Sequence, residues 1–328
     1  MGRWTHLTIE EREEIMAMRE RGAGVRETAR AIGRDPSTVS RELARNSCGG
    51  PYRASAAQRA SEARRVARAR PRALDDPGLR ACVQDRILLL RWSPEQVAGR
   101  LALEAGRPVV SASTIRRAIR ARELDTPELA GTAKGLAGRL RRKGRPPKKK
   151  GGAQLKGKIK VDRAIGERPE GAESRSRLGD WEADTVLGKA GGPCVVALVD
   201  RASRYVVGGL SPSRRSADVC AVMEAALAGQ PAETVTPDRG KEFARWREVE
   251  EATGAEFYFA LPGHPWQRGT GENTNGLLRE YFPKRRSLGK VAPGEVQEAF
   301  DMLNTRPRKC LGYRTPYEVH YSTVLQLI

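Results

Sequence analysis

The sequence predicts an all-helical front region followed by an α/β core, a mixed five-stranded sheet with flanking helices. Three observations point there. The first 46 residues carry helix signals in short periodic segments separated by glycine turns. From about Leu178, three consecutive strand-like segments precede an alternation of helices and strands, the order expected of a mixed sheet covered by helices. Between these textures, residues 134–160 hold 12 basic residues and no acidic one, with Pro and Gly pairs that oppose regular structure. The chain therefore divides into residues 1–50, a second helical region at 51–133, a basic linker at 134–172 and the core at 173–328.

At the front, Thr8 with Glu11 three positions on fits a capping box, and Leu7, Ile15 and Met18 mark the apolar side of the helix that follows. Gly22 is a stop signal. A second helix over Val25 to Ile32 has Val25, Ala29 and Ile32 on one side, and the turn Gly33-Arg34-Asp35-Pro36 leads to a third helix starting at Ser37. Two short helices around a glycine turn, the second rich in Ser and Arg, describe a helix-turn-helix. Its outward face presents Ser37, Thr38, Ser40, Arg41 and Arg45 to a major groove. A plain three-helix bundle with a basic surface is the competing reading; Ala29, Gly33 and the Val39/Leu43 spacing favour DNA.

The second region opens with a cationic, Ala-rich helix or arm at residues 53–72. Trp92-Ser93-Pro94 then starts a helix with Pro94 in its first turn, where proline is tolerated, and SASTIRRAIRAR resembles another recognition helix with Ile115 and Ile119 inward. In the core, strands are expected over Trp181–Leu187, Val195–Val199, Tyr205–Leu210, Glu233–Thr236 and Glu256–Leu261. Helices are expected over Ala217–Leu227, Glu242–Thr253 and Glu272–Tyr281. No internal repeat is visible.

A formal charge of +20 repels itself in a compact fold and is retained where a polyanion is the partner. Double-stranded DNA fits better than RNA, because aromatic residues, at 5%, are few for base stacking. No apolar run approaches the roughly 18 residues of a spanning helix. The N-terminus carries charges where a signal peptide needs an apolar run, so a cytoplasmic protein without membrane partners is expected. Cys48, Cys82, Cys194, Cys220 and Cys310 lie far apart without a CxxC pair, which argues for buried free thiols rather than disulfides or zinc. His6, His264 and His320 are too scattered for a metal site, and no GxxxxGK[ST] run supports a nucleotide cofactor.

Three acids stand out by position: Asp184 mid-strand, Asp238 at a strand end, and Glu272 at a helix start, with 33 residues between the last two. Cutting a phosphodiester at neutral pH needs an activated oxygen nucleophile and charge relief on attacking and leaving oxygens. Two divalent ions held by carboxylates supply both, and hard ions such as Mg²⁺ or Mn²⁺ prefer oxygen ligands. Taken singly, each acid could equally be a solvated edge residue, a turn former or a helix-dipole partner. Asp200 competes for the first place, but too few residues separate it from Asp238 for two further strands. Glu182 shares a strand face with Asp184 and could support it. On the helix carrying Glu272, Asn275 and Arg279 share its face and could touch DNA, with Arg268 and Lys284 as flanking candidates.

The chain resembles the IS30 family of bacterial insertion-sequence transposases over nearly its whole length. The resemblance rests on LTIEEREEI…ARAIGRDPSTVSRELARN, WSPEQVAGRL, LRRKGR, GDWEADTVLG and DRGKEFA, and above all on PWQRGTGENTNGLLREYFPK and LNTRPRKCLGYRTPYEV. It implies a ribonuclease-H-like, integrase-type core whose catalytic and metal-binding triad falls on Asp184, Asp238 and Glu272, and a terminal-repeat-binding helix-turn-helix at about residues 24–46. It also implies two metal ions per site, cleavage at element ends, transfer of the freed 3′-OH to target DNA, and a dimer or larger assembly. Arg239, Gly271, Ala183 and Ala112-Ser113 depart from the family's usual Asn, Asn, Gly and His-Glu. A cation at 239 could perturb metal binding or contact a DNA phosphate. It is the best support for the alternative, a catalytically inactive DNA-binding regulator.

Overall fold

The computed structural model describes residues 6–47, 50–67, 71–141, 159, 161–188, 192–261, 264–284 and 286–328. Cys48 and, within the basic linker, residues 142–158 and 160 lie outside the described residues. The chain forms two compact units, Met1–Arg72 and Ala73–Ile328.

The first unit holds α1 (Ile9–Glu20), α2 (Val25–Ala31), α3 (Pro36–Asn46) and α4 (Ala54–Ala67). Thr8 and Glu11 form the expected capping box on α1. The third helix begins one residue earlier than its sequence suggests, because Asp35 accepts from Ser37 N and Pro36 takes the first turn. Ile15, Ala29 and Val39 are buried at the centre, with Leu43 packed beside them. The cationic Ala-rich helix belongs to this unit, where Ala57 joins the core. Arg12 is buried as well: its Nε lies 2.8 Å from Glu42 Oε1, its Nη1 donates to Gln58 Oε1 at 2.7 Å, and Tyr52 donates to the same Glu42 oxygen. That network ties α1 to α3 and α4.

The second unit begins with α5 (Pro77–Leu88), α6 (Pro94–Ala105), α7 (Ala112–Arg120) and the short α8 (Pro127–Ala130). Ser93 and Gln96 cap α6 reciprocally, and Gly106 ends it in the left-handed conformation at φ +64°. Val83, Ile87, Trp92, Val97, Ile115 and Ile119 make the core of this module. Leu136, expected in the linker, is buried in it as part of a 3₁₀ turn over Gly135–Arg139. The far end of the expected linker is folded too: Ile165 N bonds to Phe259 O, and α9 (Glu170–Ser174) precedes the sheet. Both described ends of the expected linker are thus folded, because Leu136 and Ile165 find partners in the flanking elements.

The sheet has the order β3-β2-β1-β4-β5, with β1 (Asp180–Leu187), β2 (Cys194–Asp200), β3 (Val206–Ser211), β4 (Thr234–Thr236) and β5 (Glu256–Phe257). β1, β2 and β3 are antiparallel neighbours; β1–β4 and β4–β5 are parallel. One face packs on α10 (Ser216–Leu227) and α11 (Trp246–Thr253) through Trp181, Ala183, Val196, Leu198, Met223 and Trp246. The other packs on α12 (Gly269–Leu278) and α13 (Pro293–Asn304) through Val186, Val195, Ala197, Leu278, Phe300 and Leu303. Two expectations change in detail. The helix expected from Glu242 is a 3₁₀ turn, Lys241–Phe243, followed by α11, and the fifth strand stops at Phe257 before an isolated bridge at Phe259.

The helical module is fastened to the core at the last helix, α14 (Pro316–His320). Arg100 of α6, 1% exposed, donates to both carboxylate oxygens of Glu318, 2% exposed, at 2.7 and 2.9 Å. Gln96 Nε2 donates to Pro307 O, and a Cβ at Gly99 would lie 2.3 Å from the Tyr313 ring, so only glycine admits this approach. Among the described residues no helix is long and apolar enough to cross a membrane.

Candidate active site

Alternation along β1 decides which side chains can do chemistry. Trp181 and Ala183 enter the core under α10 and α11, so Glu182, Asp184 and Val186 face α12. Asp238 comes beside Asp184 because β4 runs parallel to β1 in the register Asp180↔Thr234, Trp181↔Val235, Glu182↔Thr236, and two further places along meet 184 and 238. Asp238 lies just beyond the strand, where its Oδ1 accepts from Gly240 N at 2.8 Å. A Cβ at Gly240 would lie 2.6 Å from Glu242 Oε2 and 2.8 Å from Asp238 Oδ1, so the glycine leaves room for both carboxylates.

Arg268 joins the two aspartates. Its Nη1 lies 3.2 Å from Asp184 Oδ2 and its Nη2 3.4 Å from Asp238 Oδ2, while Nη1 also donates to Ala183 O. Asn275 Nδ2 donates to Asp184 Oδ2 at 2.7 Å, and Thr185 N donates to Asp184 Oδ1. Burial pushes the Asp184 carboxyl above its ordinary value; Arg268 opposes this and the negative charge of Asp238 adds to it. The Asp184 side chain still keeps 21% of its surface, and that of Asp238 43%, so the pair is open to solvent.

Glu272 is in the first turn of α12, three residues past the helix start rather than at it. Among the described residues no three His, Cys, Asp or Glu side chains form a group that could hold a metal ion. Two of the expected acids are therefore brought to one cation, and the third is on the adjoining helix. The pair itself suits a hard divalent ion. Both donors are carboxylates, they are close enough to repel, and a guanidinium already bridges them.

The other expected contacts divide between exposed and internally engaged side chains. On α3, Ser37, Ser40, Arg41 and Arg45 are exposed and Thr38 is half-buried. Arg268 and Asn275 are turned onto Asp184, and Arg279 donates to Leu187 O and Phe282 O, holding the end of β1 to the turn after α12. Burial lowers the Arg279 pKa, and Asp184 opposes that shift. Lys284 is exposed. Arg239 has its Nε buried without a hydrogen-bond partner among the described residues.

Glu182, 1% exposed, has a larger part than its strand face suggests. Its Oε2 accepts from Gly271 N at 2.7 Å and its Oε1 from Arg201 Nη1 at 2.6 Å, which anchors the first turn of α12 to β1. Glu242, missed in the sequence, accepts from Arg214 and from Thr185 beside Asp184. Asp200 is a turn builder, accepting from Gly179 N, Ala202 N and Ser203 N. Of the thiols, Cys194 and Cys220 are buried and pushed up to about 11 by burial, whereas Cys82 is half-buried and Cys310 exposed.

Comparison with known proteins agrees with both halves of this architecture. Residues 3–46 match the family model described as a helix-turn-helix domain, and residues 175–265 match the integrase core domain. The chain is 36% identical over 323 residues to the transposase for insertion sequence element IS4351 of Bacteroides fragilis, covering 95% of this chain and 94% of that one. It is 36% identical over 324 residues to the transposase InsI for insertion sequence element IS30A of Escherichia coli, covering 96% and 83%. A transposase for an insertion sequence element of Cupriavidus metallidurans is 35% identical over 97% of this chain and 94% of its own.

Proposed function

This chain belongs to the IS30 family of insertion-sequence transposases, and on that premise we propose that it cuts and joins DNA at a carboxylate site made by Asp184, Asp238 and Glu272. The observation that carries the proposal is the aspartate pair at the edge of the β1–β4 ladder, sharing one guanidinium and open to solvent. DNA binding and polynucleotidyl transfer follow from the helix-turn-helix and integrase core domains, and the relatives support a transposase rather than the regulator reading.

The three acids would hold Mg²⁺ or Mn²⁺, two ions per site, which supply Lewis acidity at a phosphodiester. Asp184 and Asp238 offer the first oxygens, with Glu272 completing the set from the first turn of α12. Arg268 gives up its bridge in that state and turns to a DNA phosphate, and Asn275 keeps Asp184 oriented. Water attacks phosphorus at the element end and the P–O3′ bond breaks, leaving a 3′-OH. That hydroxyl attacks a target phosphodiester, so one P–O bond forms as another breaks and no nucleotide is consumed. The face of α3 with Ser37, Thr38, Ser40, Arg41 and Arg45 reads the terminal inverted repeat. Because two ends are joined, the working form is a dimer or larger assembly on bacterial DNA in the cytoplasm.

The test is Mg²⁺-dependent nicking of a duplex carrying the element end. Asp238→Asn and Asp184→Asn are expected to cut at least ~10³-fold more slowly, several kcal/mol of lost charge stabilisation, while binding the duplex as well as wild type. Equal cutting by wild type and Asp238→Asn refutes the site.

A further inference from the structure

A pocket opens beside the start of α12, and neither Asp184 nor Asp238 lines it. It encloses about 200 Å³ and is lined by Arg175, Arg204 and Arg308 together with Gly269, Thr270 and Thr274 of the helix start. No acidic side chain lines it among the described residues. Arg308 comes from the LNTRPRKCLGYRTPYEV segment, which the cutting chemistry leaves without a role.

Arg308 is the unusual member. It is 8% exposed, yet it makes no ion pair among the described residues, and its Nε is buried without a hydrogen-bond partner. Among the described residues its Nη2 donates only to Leu303 O, a neutral acceptor. A buried guanidinium normally sits against a carboxylate, because desolvating an uncompensated charge costs several kcal/mol. Burial and the neighbouring Arg306 press the Arg308 pKa down to about 10, and Glu280 opposes them only in part. Arg204 reaches the same place and donates to Thr270 Oγ1 at 2.6 Å. The start of α12 adds its dipole, which favours negative charge there, although the Gly271 N–H is already taken by Glu182 of β1.

We propose that this pocket binds a phosphate group, and that in the working protein the phosphate belongs to the DNA backbone. Three arginine side chains beside the start of α12, with no carboxylate lining the pocket among the described residues, match a tetrahedral oxyanion in charge and donors. A phosphate held here engages the helix that carries Glu272, so the DNA strand is registered against the catalytic acids by a contact that reads no bases.

The experiment uses the full chain with wild type, Arg308→Met and Arg204→Gln. Inorganic phosphate at millimolar concentration, compared with chloride at equal ionic strength, is expected to raise the Tm of wild type and not that of Arg308→Met. Without phosphate, Arg308→Met is expected to melt at or above the wild-type temperature, since it removes a buried unpaired charge; a purely structural arginine would give a lower Tm. For a duplex, the slope of log K against log salt should fall by about 0.9, one phosphate contact, in either variant. Arg204→Gln, half-buried at the rim, carries the test should Arg308→Met not fold. A Tm rise with phosphate that survives in both variants overturns the site. Loss of that rise with an unchanged salt slope overturns the assignment to DNA and leaves a free-anion pocket. Neither outcome depends on cleavage, so failure of the carboxylate site and failure of this pocket are read separately.

Discussion

Replacing Arg100 by Met should unfasten the helical module from the catalytic core. The change leaves the Glu318 carboxylate, 2% exposed, without the two guanidinium bonds at 2.7 and 2.9 Å. Breaking one side of a buried ion pair costs roughly 3–5 kcal/mol. Thr315 N and Leu325 N still donate to Glu318 at 2.6 and 2.8 Å, which places this case at the lower end. Acid gives an independent measure. Burial alone would raise the Glu318 pKa, but Arg100 and the two backbone N–H groups overcome it and hold it at about 2, against an ordinary 4.5. A depression of that size corresponds to about 3 kcal/mol. Because the folded-state pKa lies below the unfolded one, this stability is complete above about pH 4.5 and is lost as the pH falls towards 2. Urea unfolding of the full chain, followed by tryptophan fluorescence with Trp92 buried at the start of α6, should show wild type losing that increment between the two pH values. Arg100→Met should start about 3 kcal/mol lower at pH 7 and lose much less on acidification. The double variant Arg100→Met with Glu318→Gln, which removes the unpaired charge and keeps an acceptor for the N–H of Thr315 or Leu325, should recover part of the loss. An Arg100→Met protein within about 1 kcal/mol of wild type at pH 7, with the acid dependence intact, would refute the reasoning.

Two other substitutions separate fold from chemistry. Gly240→Ala puts a Cβ against the ends of Glu242 and Asp238, which can swing aside, so stability should change by under about 1 kcal/mol. Displacing Asp238 should nevertheless cut the nicking rate by about 10²-fold, read by single-turnover cleavage beside a denaturation curve. Arg41→Ala removes an exposed cation from α3 without touching its core; fluorescence anisotropy should show weaker duplex binding and a log K–log salt slope lower by about one.

The placement of Asp184 and Asp238 was legible because a strand's period and a turn are local signals, and the acids could be counted onto them. Glu272 was placed at a helix start that lies three residues earlier, since glycines favour a helix weakly and only the bond from Gly271 N to Glu182 of β1 anchors that turn. The helices α5, α13 and α14 went unassigned, although Asp76-Pro77, Pro293 with Glu295, and Thr315-Pro316 with Glu318 are start signals of the same kind as Ser93-Pro94 with Gln96. Arg12, Glu182 and Arg308 look like surface residues by type and are buried, because each answers to partners or cavities distant in the chain.

The sequence by itself determined the helix caps at Thr8 and Ser93, the strand and helix alternation and the excess of positive charge. All of these are written within a few residues or in composition. Only the tertiary structure decided that Asp238 lies beside Asp184, that Arg268 bridges them, and that Arg100 meets Glu318 across 218 positions. Burying a charge is favourable only when the fold supplies its counter-charge, and no local pattern records which distant residue that is.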